Sequence, residues 1–491
     1  MRDLLGRLGK QLLVYGGGGA ALQLVGLITL PVYARIFDPA QYGMLEVATL
    51  GFTVLLLAVD FGMTSAAQRS YYDYEDHQIH ERRATLATAL GNMVAQGLVV
   101  TLVLVAFASP LSRALFGTTE QADLVRIVGV TVPVATLALY LREVMRMYFH
   151  AWHYVVSALL GAMGTAAGGI VAVTVLDAGI SGVLLGVLIG NGLAALYGLV
   201  FAGRDVLGRF SRPELGRMLR YALPLVPAGF GMWGLSFLDR VMLSRLGGFS
   251  DTGQYSIGSR YSGVMMFCVA TFMTAYIPFT LSLWREDLEA ERLVRSRVLT
   301  YVVLALVTIG LTMSLFAREL TMIIAPKFDR AYIVVGTLCV GVVLYGSASI
   351  ASLGISLSRR TLYFGAYTAV ATGVNIGLNF LLIPAWGMIG AATATTAAYG
   401  LLAILYYRKA QQLEHTPYLA SRALTALLVG CPLMGIGAVP IEPIGLAIVV
   451  KLAVLGVFAL IVWRRRVIDE EELQALRGLA RHAAVRTRRV V

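Results

Sequence analysis

Ten side chains of this 491-residue chain stand in or at the margin of long apolar runs, where polar chemistry is conspicuous. Asp60, Asp239, Arg35, Arg240, Arg245, Arg260 and Lys451 carry charge, and Trp233, Asn375 and Asn379 offer hydrogen bonds. An ionised side chain at mid-membrane costs about 2.5–3.5 kcal/mol on insertion scales, so such residues face a wet cavity, meet a partner or reach the interface. An arginine fork suits phosphate or carboxylate oxygens, and an intramembrane carboxylate can carry a proton or hold a cation.

Spacing sorts these residues. Thr53, Asp60 and Thr64 share one helical face, so Asp60 belongs either to an inward polar stripe, as an ion-coupling group, or to a pair with a loop arginine such as Arg69. Asp239 and Arg240 are adjacent and point in different directions, so they cannot simply neutralise each other. Arg240 shares a face with Gly229, Trp233 and Ser236, which suits a cavity wall, and Asp239 is a second candidate for ion coupling or structural pairing. Arg35 and Arg245 stand near helix ends, where snorkelling to headgroups accounts for them. Arg260 shares a face with Ser256, Gly263 and Phe267 and fits a cavity position. Thr368, Thr372, Asn375 and Asn379 step by four, three and four residues, a stripe equally suited to a cavity wall and to polar helix packing. Lys451 suits snorkelling or packing as well as transport.

Other chemistry is missing from the pattern. The six histidines and three cysteines show no metal-ligand spacing, disulfide framework or nucleophile pair, and no glycine-rich phosphate loop marks a nucleotide-driven engine. No cofactor or metal is expected, and the chain does not read as an enzyme.

The elements that position these residues are membrane helices. With 58% hydrophobic and 14% charged residues, the chain has too little polar surface to cover a soluble body of its size. Fourteen apolar runs are long enough to span a bilayer, at 12–36, 44–66, 84–108, 122–141, 155–176, 180–202, 219–244, 255–280, 298–316, 331–356, 362–383, 387–407, 422–439 and 443–463. The first is too long for a signal-peptide core and reads as an uncleaved span. Thirty of the forty Lys and Arg fall on one side of this layout, which predicts both termini in the cytoplasm. The net charge of +12 is spread over eight loops, a topology signal rather than a nucleic-acid surface. The last segment, "VIDEEELQALRGLARHAAVRTRRVV", reads as a short basic amphipathic helix.

Internal repeats fix the organisation. "YARIFDPAQYGM" (33–44) resembles "LSRLGGFSDTGQYSI" (243–257) at an offset of 210, and "DAGISG" (177–182) resembles "AWGMIG" (385–390) at an offset of 208. A duplicated six-span unit follows, both copies facing the same way about a two-fold axis along the membrane normal. The expected parts are a cytoplasmic N-terminus (1–10), an N-lobe (11–210), a C-lobe (211–410), two extra helices (411–463) and a basic cytoplasmic tail (464–491).

Several motifs in this order resemble the Wzx-type flippases of lipid-linked oligosaccharides, within the superfamily that includes multidrug and toxin extrusion transporters and the lipid II flippase. They are "ARIFDPAQYG" after the first span, "VDFGMTSAAQR" ending the second, "YALPLVPAGFGMWGLSFLDRVMLS" as the seventh, "GQYS" opening the eighth and "GMIGAA" opening the twelfth. The resemblance implies an all-α integral membrane protein of about 14 helices, with two six-helix lobes around a cavity that opens alternately to each side. It implies a polyprenyl-pyrophosphate-linked oligosaccharide as cargo, for O-antigen, capsule or exopolysaccharide assembly. Membrane lipids and a glycan polymerase complex are the expected partners, with H+, Na+ or the membrane potential as driving force and no nucleic acid. Arg240 and Arg260 then suit the phosphates, and Trp233, Asn375 and Asn379 the glycan; Arg35, Arg245 and Lys451 are secondary candidates.

The alternatives differ in their residues. A cation-coupled multidrug antiporter commonly carries an acid in its first span or deep in its C-terminal lobe; 12–36 contains none, and Asp239 is the only acid within a predicted C-lobe span. A lipid II flippase would use the same charge logic. A membrane glycan polymerase or ligase needs a large outer loop, whereas 109–121 and 317–330 are little more than connections.

Overall fold

Polar punctuation sets where each helix begins in the computed structural model, which describes residues 25–465 apart from 27, 76, 359 and 361. The expected N-terminus, most of the first span and the tail after Arg465 lie outside the described residues. Helix α1 covers 28–36. Asp38 then accepts from the Gln41 amide while Gln41 answers the Asp38 amide, and Pro39 occupies the first turn, a capping box that starts the next helix.

The remaining long helices are α2 (Pro39–Tyr72, broken at Phe61 and Gly62), α3 (Ile79–Ala106), α4 (Ala122–Met147), α5 (Ala151–Thr174), α6 (Gly179–Val206), α7 (Val226–Leu246), α8 (Phe249–Glu286), α9 (Leu288–Leu315), α10 (Ala331–Leu357), α11 (Leu362–Trp386), α12 (Met388–Leu413), α13 (Ser421–Ala438) and α14 (Ile444–Arg464). Twelve helices among the described residues are long and apolar enough to cross a membrane. They become thirteen when Arg212–Leu225 and Gly229–Leu246, bent by 45°, count as one. Each of the thirteen overlaps one of the expected spans after the first.

The repeats recur as matched geometry. Gly179 opens α6 and Gly387 precedes α12, with φ of +53° and +55°, a conformation open to glycine at little cost. Three residues on, Gly182 and Gly390 lie against the end of the preceding helix: an added Cβ would stand 3.0 Å from the Ala172 carbonyl carbon and 2.2 Å from the Leu382 carbonyl oxygen. After α3 and α9 come the short helices Ala108–Phe116 and Ala317–Ile324, each opened by a Phe-Ala pair, Phe107-Ala108 and Phe316-Ala317.

Backbone contacts divide the molecule into two compact units. One holds the chain up to Ser256 together with Ile324–Phe328, and the other holds Ile257–Ile323 and the chain from Asp329. In the first unit, α5 and α6 pack through glycines: a Cβ on Gly190 would meet the Gly161 oxygen at 2.3 Å, and one on Gly186 the Gly169 nitrogen at 2.4 Å. Small residues let membrane helices approach this closely, where lipid offers no hydrophobic drive between them.

The second unit is built on Met265, Val303, Leu311, Val343, Ala426, Met434 and Phe458, so α13 and α14 dock onto the core of α8, α9 and α10. Ser314 of α9 donates to the Met434 carbonyl at 2.6 Å and seals that junction. At the opposite end of α9, fully buried Arg295 lies 3.2 Å from Glu291 and 3.3 Å from Glu414, an arrangement that keeps a buried guanidinium compensated. Burial pushes the nearby Tyr418 phenol up to about 12, against the opposing pull of Arg295.

Candidate functional site

The first unit gathers polar groups where α2 begins, α7 ends and α8 begins. Helices α2 and α7 run antiparallel there, and their contacts descend in register. A Cβ on Gly229 would meet the Leu57 side chain at 3.3 Å, Trp233 Nε1 donates to Thr53 Oγ1 at 3.1 Å, and Arg240 Nε stands 3.4 Å from Glu46 Oε1.

Arg240 is therefore held among anions. Its Nη1 lies 3.7 Å from Asp239 Oδ1 and donates to the Ser236 carbonyl at 3.0 Å, and its guanidinium stands 5.4 Å from the Phe237 ring centre and 5.6 Å from that of Tyr255. The Tyr255 hydroxyl donates to Asp239 Oδ2, tying α8 to α7, and the Arg240 amide donates to Asp239 Oδ1 at 2.8 Å. Asp239 is 2% and Glu46 9% exposed, so this charge network lies largely out of solvent. Chemically it presents a forked cation with rings on its faces, able to exchange carboxylate oxygens for phosphate oxygens.

Glu46 was not among the residues singled out from sequence. It stands two residues inside the predicted 44–66 span and reads there as a boundary acid. Its relation to Arg240 crosses between helices far apart in the chain, and only the tertiary fold brings the two together.

Above this network, α2 and α8 touch backbone to backbone. A Cβ on Gly43 would lie 2.0 Å from the Phe249 oxygen, and one on Gly253 would lie 1.9 Å from the Pro39 oxygen. Pro39 and Phe249 are themselves 210 residues apart, as are Gly43 and Gly253, so each repeat gives the other the same contact. Phe328 packs edge-on against Tyr42 at 5.4 Å, Lys327 donates to the Ile36 carbonyl at 2.8 Å, Phe116 lies 6.1 Å from Phe249 and Arg245 donates to the Ala114 carbonyl.

The other candidates take separate places. Asp60 accepts from the Gly62 amide at 3.1 Å, the Thr64 amide at 3.2 Å and the Thr64 hydroxyl, so it caps the second half of α2 across the break. Arg35 and Arg245 are exposed, and Arg260 is exposed on the part of α8 in the second unit. Asn375 donates to Thr395 at 3.3 Å and Asn379 to Asn375 at 3.0 Å; both are fully buried, joining α11 to α12. Lys451, 1% exposed, places its ammonium 2.5 and 2.7 Å from the Glu319 oxygens. Among the described residues no cluster of His, Cys, Asp and Glu could hold a metal ion.

The chain matches the model of the polysaccharide biosynthesis protein family over residues 8–284. Over 362 residues it is 27% identical to the succinoglycan biosynthesis transport protein ExoT of Rhizobium meliloti (strain 1021), covering 70% of this chain and 69% of that one. Among solved structures it is similar to the lipid II flippase MurJ in an inward closed conformation, with TM-score 0.73, 14% identity, and coverage of 93% of this chain and 100% of that one. It is also similar to an inward-facing multidrug resistance MATE family transporter of the MOP superfamily, with TM-score 0.67, 16% identity, and coverage of 80% and 94%. The chain belongs to the polysaccharide biosynthesis protein family and shares its fold with these solved transporters.

Proposed function

We propose that the protein is a flippase that carries a polyprenyl-pyrophosphate-linked oligosaccharide from the cytoplasmic to the outer leaflet of a bacterial inner membrane by alternating access. The cargo would serve O-antigen, capsule or exopolysaccharide assembly alongside a glycan polymerase complex. The observation that carries the reading is Arg240, a guanidinium inside a membrane-spanning helix of a polysaccharide-biosynthesis chain, held by groups that phosphate oxygens can replace. The ExoT relative, named as a transport protein of succinoglycan biosynthesis, supports a glycan as cargo.

Arg240 contacts the diphosphate first, and exposed Arg260 is its second contact. Trp233 is the glycan-facing aromatic, because Asn375 and Asn379 are spent on joining α11 to α12. The positive-inside bias puts both termini in the cytoplasm and the start of α2 on the outer side. H+, Na+ or the membrane potential supplies the drive.

The test is mass spectrometry of polyprenyl-diphosphate lipids from cells with and without the protein, with an impermeant glycan probe reporting the leaflet. Depleted cells should accumulate a finished oligosaccharide lipid on the cytoplasmic side, and neutral substitution of both arginines should reproduce that state. Accumulation of lipid II instead would favour the reading suggested by the MurJ likeness. An unchanged lipid pool with normal display would sink both and move weight to cation-coupled drug efflux.

A further inference from the structure

Three helices meet at the outer end of the first unit, and what holds them differs by layer. The upper layer is the reciprocal contact of Gly43 with Phe249 and Gly253 with Pro39, backbone on backbone. The lower layer is ionic. Glu46 follows Gly43 by one turn on α2, Tyr255 follows Gly253 by two residues on α8, and Asp239 and Arg240 stand seven and six residues before the end of α7. Tyr255 and Asp239 tie α8 to α7, whereas the ion pair of Arg240 with Glu46 crosses from α7 to α2.

We propose that Arg240 is a latch shared by two anions: with the outer end closed it is held by Glu46, and when cargo arrives the diphosphate takes it, unfastening α2 from α7 and letting the glycine seam part. The inference rests on the diphosphate reading of the cargo and adds how loading is coupled to opening.

The coupling follows from the arrangement. A ligand shifts a conformational equilibrium only through its different affinity for the two states. A diphosphate that merely added to Arg240 would leave the closed end closed. One that draws the guanidinium away from Glu46 leaves a carboxylate at 9% exposure without that counter-charge, which favours a state in which α2 moves and Glu46 reaches water. Asp239 keeps Tyr255 throughout, so α7 and α8 remain joined while α2 is released. Glu46 is on this account a positioning residue for the cargo contact.

The experiment uses the full chain in nanodiscs, with Cys268, Cys339 and Cys431 replaced and a single reporter, Thr252→Cys. Thr252 is fully buried at the start of α8 beside the seam, so a hydrophilic maleimide reaches it only when that end opens. In the parent the reporter should label slowly, and geranyl diphosphate, the probe, should speed labelling about tenfold. Glu46→Gln should label about tenfold faster without probe, with less than about twofold further response. Glu46→Asp, which keeps the charge, should return labelling toward the slow rate, a rescue that general damage to the helix would not show. The latch is overturned if Glu46→Gln labels as slowly as the parent, or if Glu46→Asp labels as fast as Glu46→Gln. Binding of geranyl diphosphate to the parent and to Arg240→Gln is measured separately. Equal binding would remove the diphosphate reading, and with it the cargo half of the proposal, while the probe-free rates still decide the latch.

Discussion

Gly43 and Gly253, 210 residues apart, meet where α2 and α8 begin: a Cβ on Gly43 would lie 3.1 Å from the Gly253 nitrogen and 2.0 Å from the Phe249 oxygen. Neither helix can take a larger residue there without backbone movement.

Gly43→Ala and Gly253→Ala should each destabilise the closed form, by roughly the 1–3 kcal/mol typical of overpacking. Thermal unfolding in detergent would show it. A melting temperature unchanged in both variants would mean that the two helix starts are not in contact.

The role of Asp60 separates by chemistry. Asn keeps one acceptor oxygen, for the Thr64 amide and hydroxyl, and loses the one that accepts from Gly62, so Asp60→Asn should keep transport and most of the stability, whereas Asp60→Ala should cost about 1 kcal/mol. Loss of transport in a stably folded Asp60→Asn protein, read by the leaflet assay, would instead assign Asp60 to ion coupling.

Lys451 and Glu319 form a pair whose breakage leaves one charge uncompensated. Lys451→Met alone should cost about 3–5 kcal/mol, and the double variant with Glu319→Gln should recover much of that loss. A double-mutant cycle on thermal stability measures the coupling, and additivity would show the two residues to be independent.

Asn375→Ala removes a donor to Thr395 and the acceptor of Asn379, so it should lower stability by about 0.6–1.7 kcal/mol, the range of polar contacts between membrane helices. Unfolding and transport assays on one preparation distinguish the roles. Full stability with lost transport would return Asn375 to the glycan.

What the sequence made legible was set by period and composition. Apolar runs locate every membrane-length helix among the described residues, because a bilayer imposes length directly. The glycine repeats also survived, since Gly179 and Gly387 need a backbone conformation that a side chain resists. Pairing was another matter. Lys451 stood out as a charge in oil, but Glu319 lay in what read as a loop, and the bond between them spans 132 positions. Asp60 reads from sequence as an ion-coupling group or a partner for Arg69 because it falls inside a hydrophobic run, although Gly62 and Thr64 after it already spell a helix cap.

The short segment Ile324–Phe328 belongs by its contacts to the first unit, yet it is encoded beyond the point where that unit's continuous chain ends, at Ser256. Phe328 is fully buried against Tyr42. When residues up to Ser256 have left the ribosome, the place for this ring is still unfilled, and it stays so until α9 and the short helix Ala317–Ile324 have been made. The first half of the protein is therefore finished by the second, and the order of synthesis is not the order in which the units are completed.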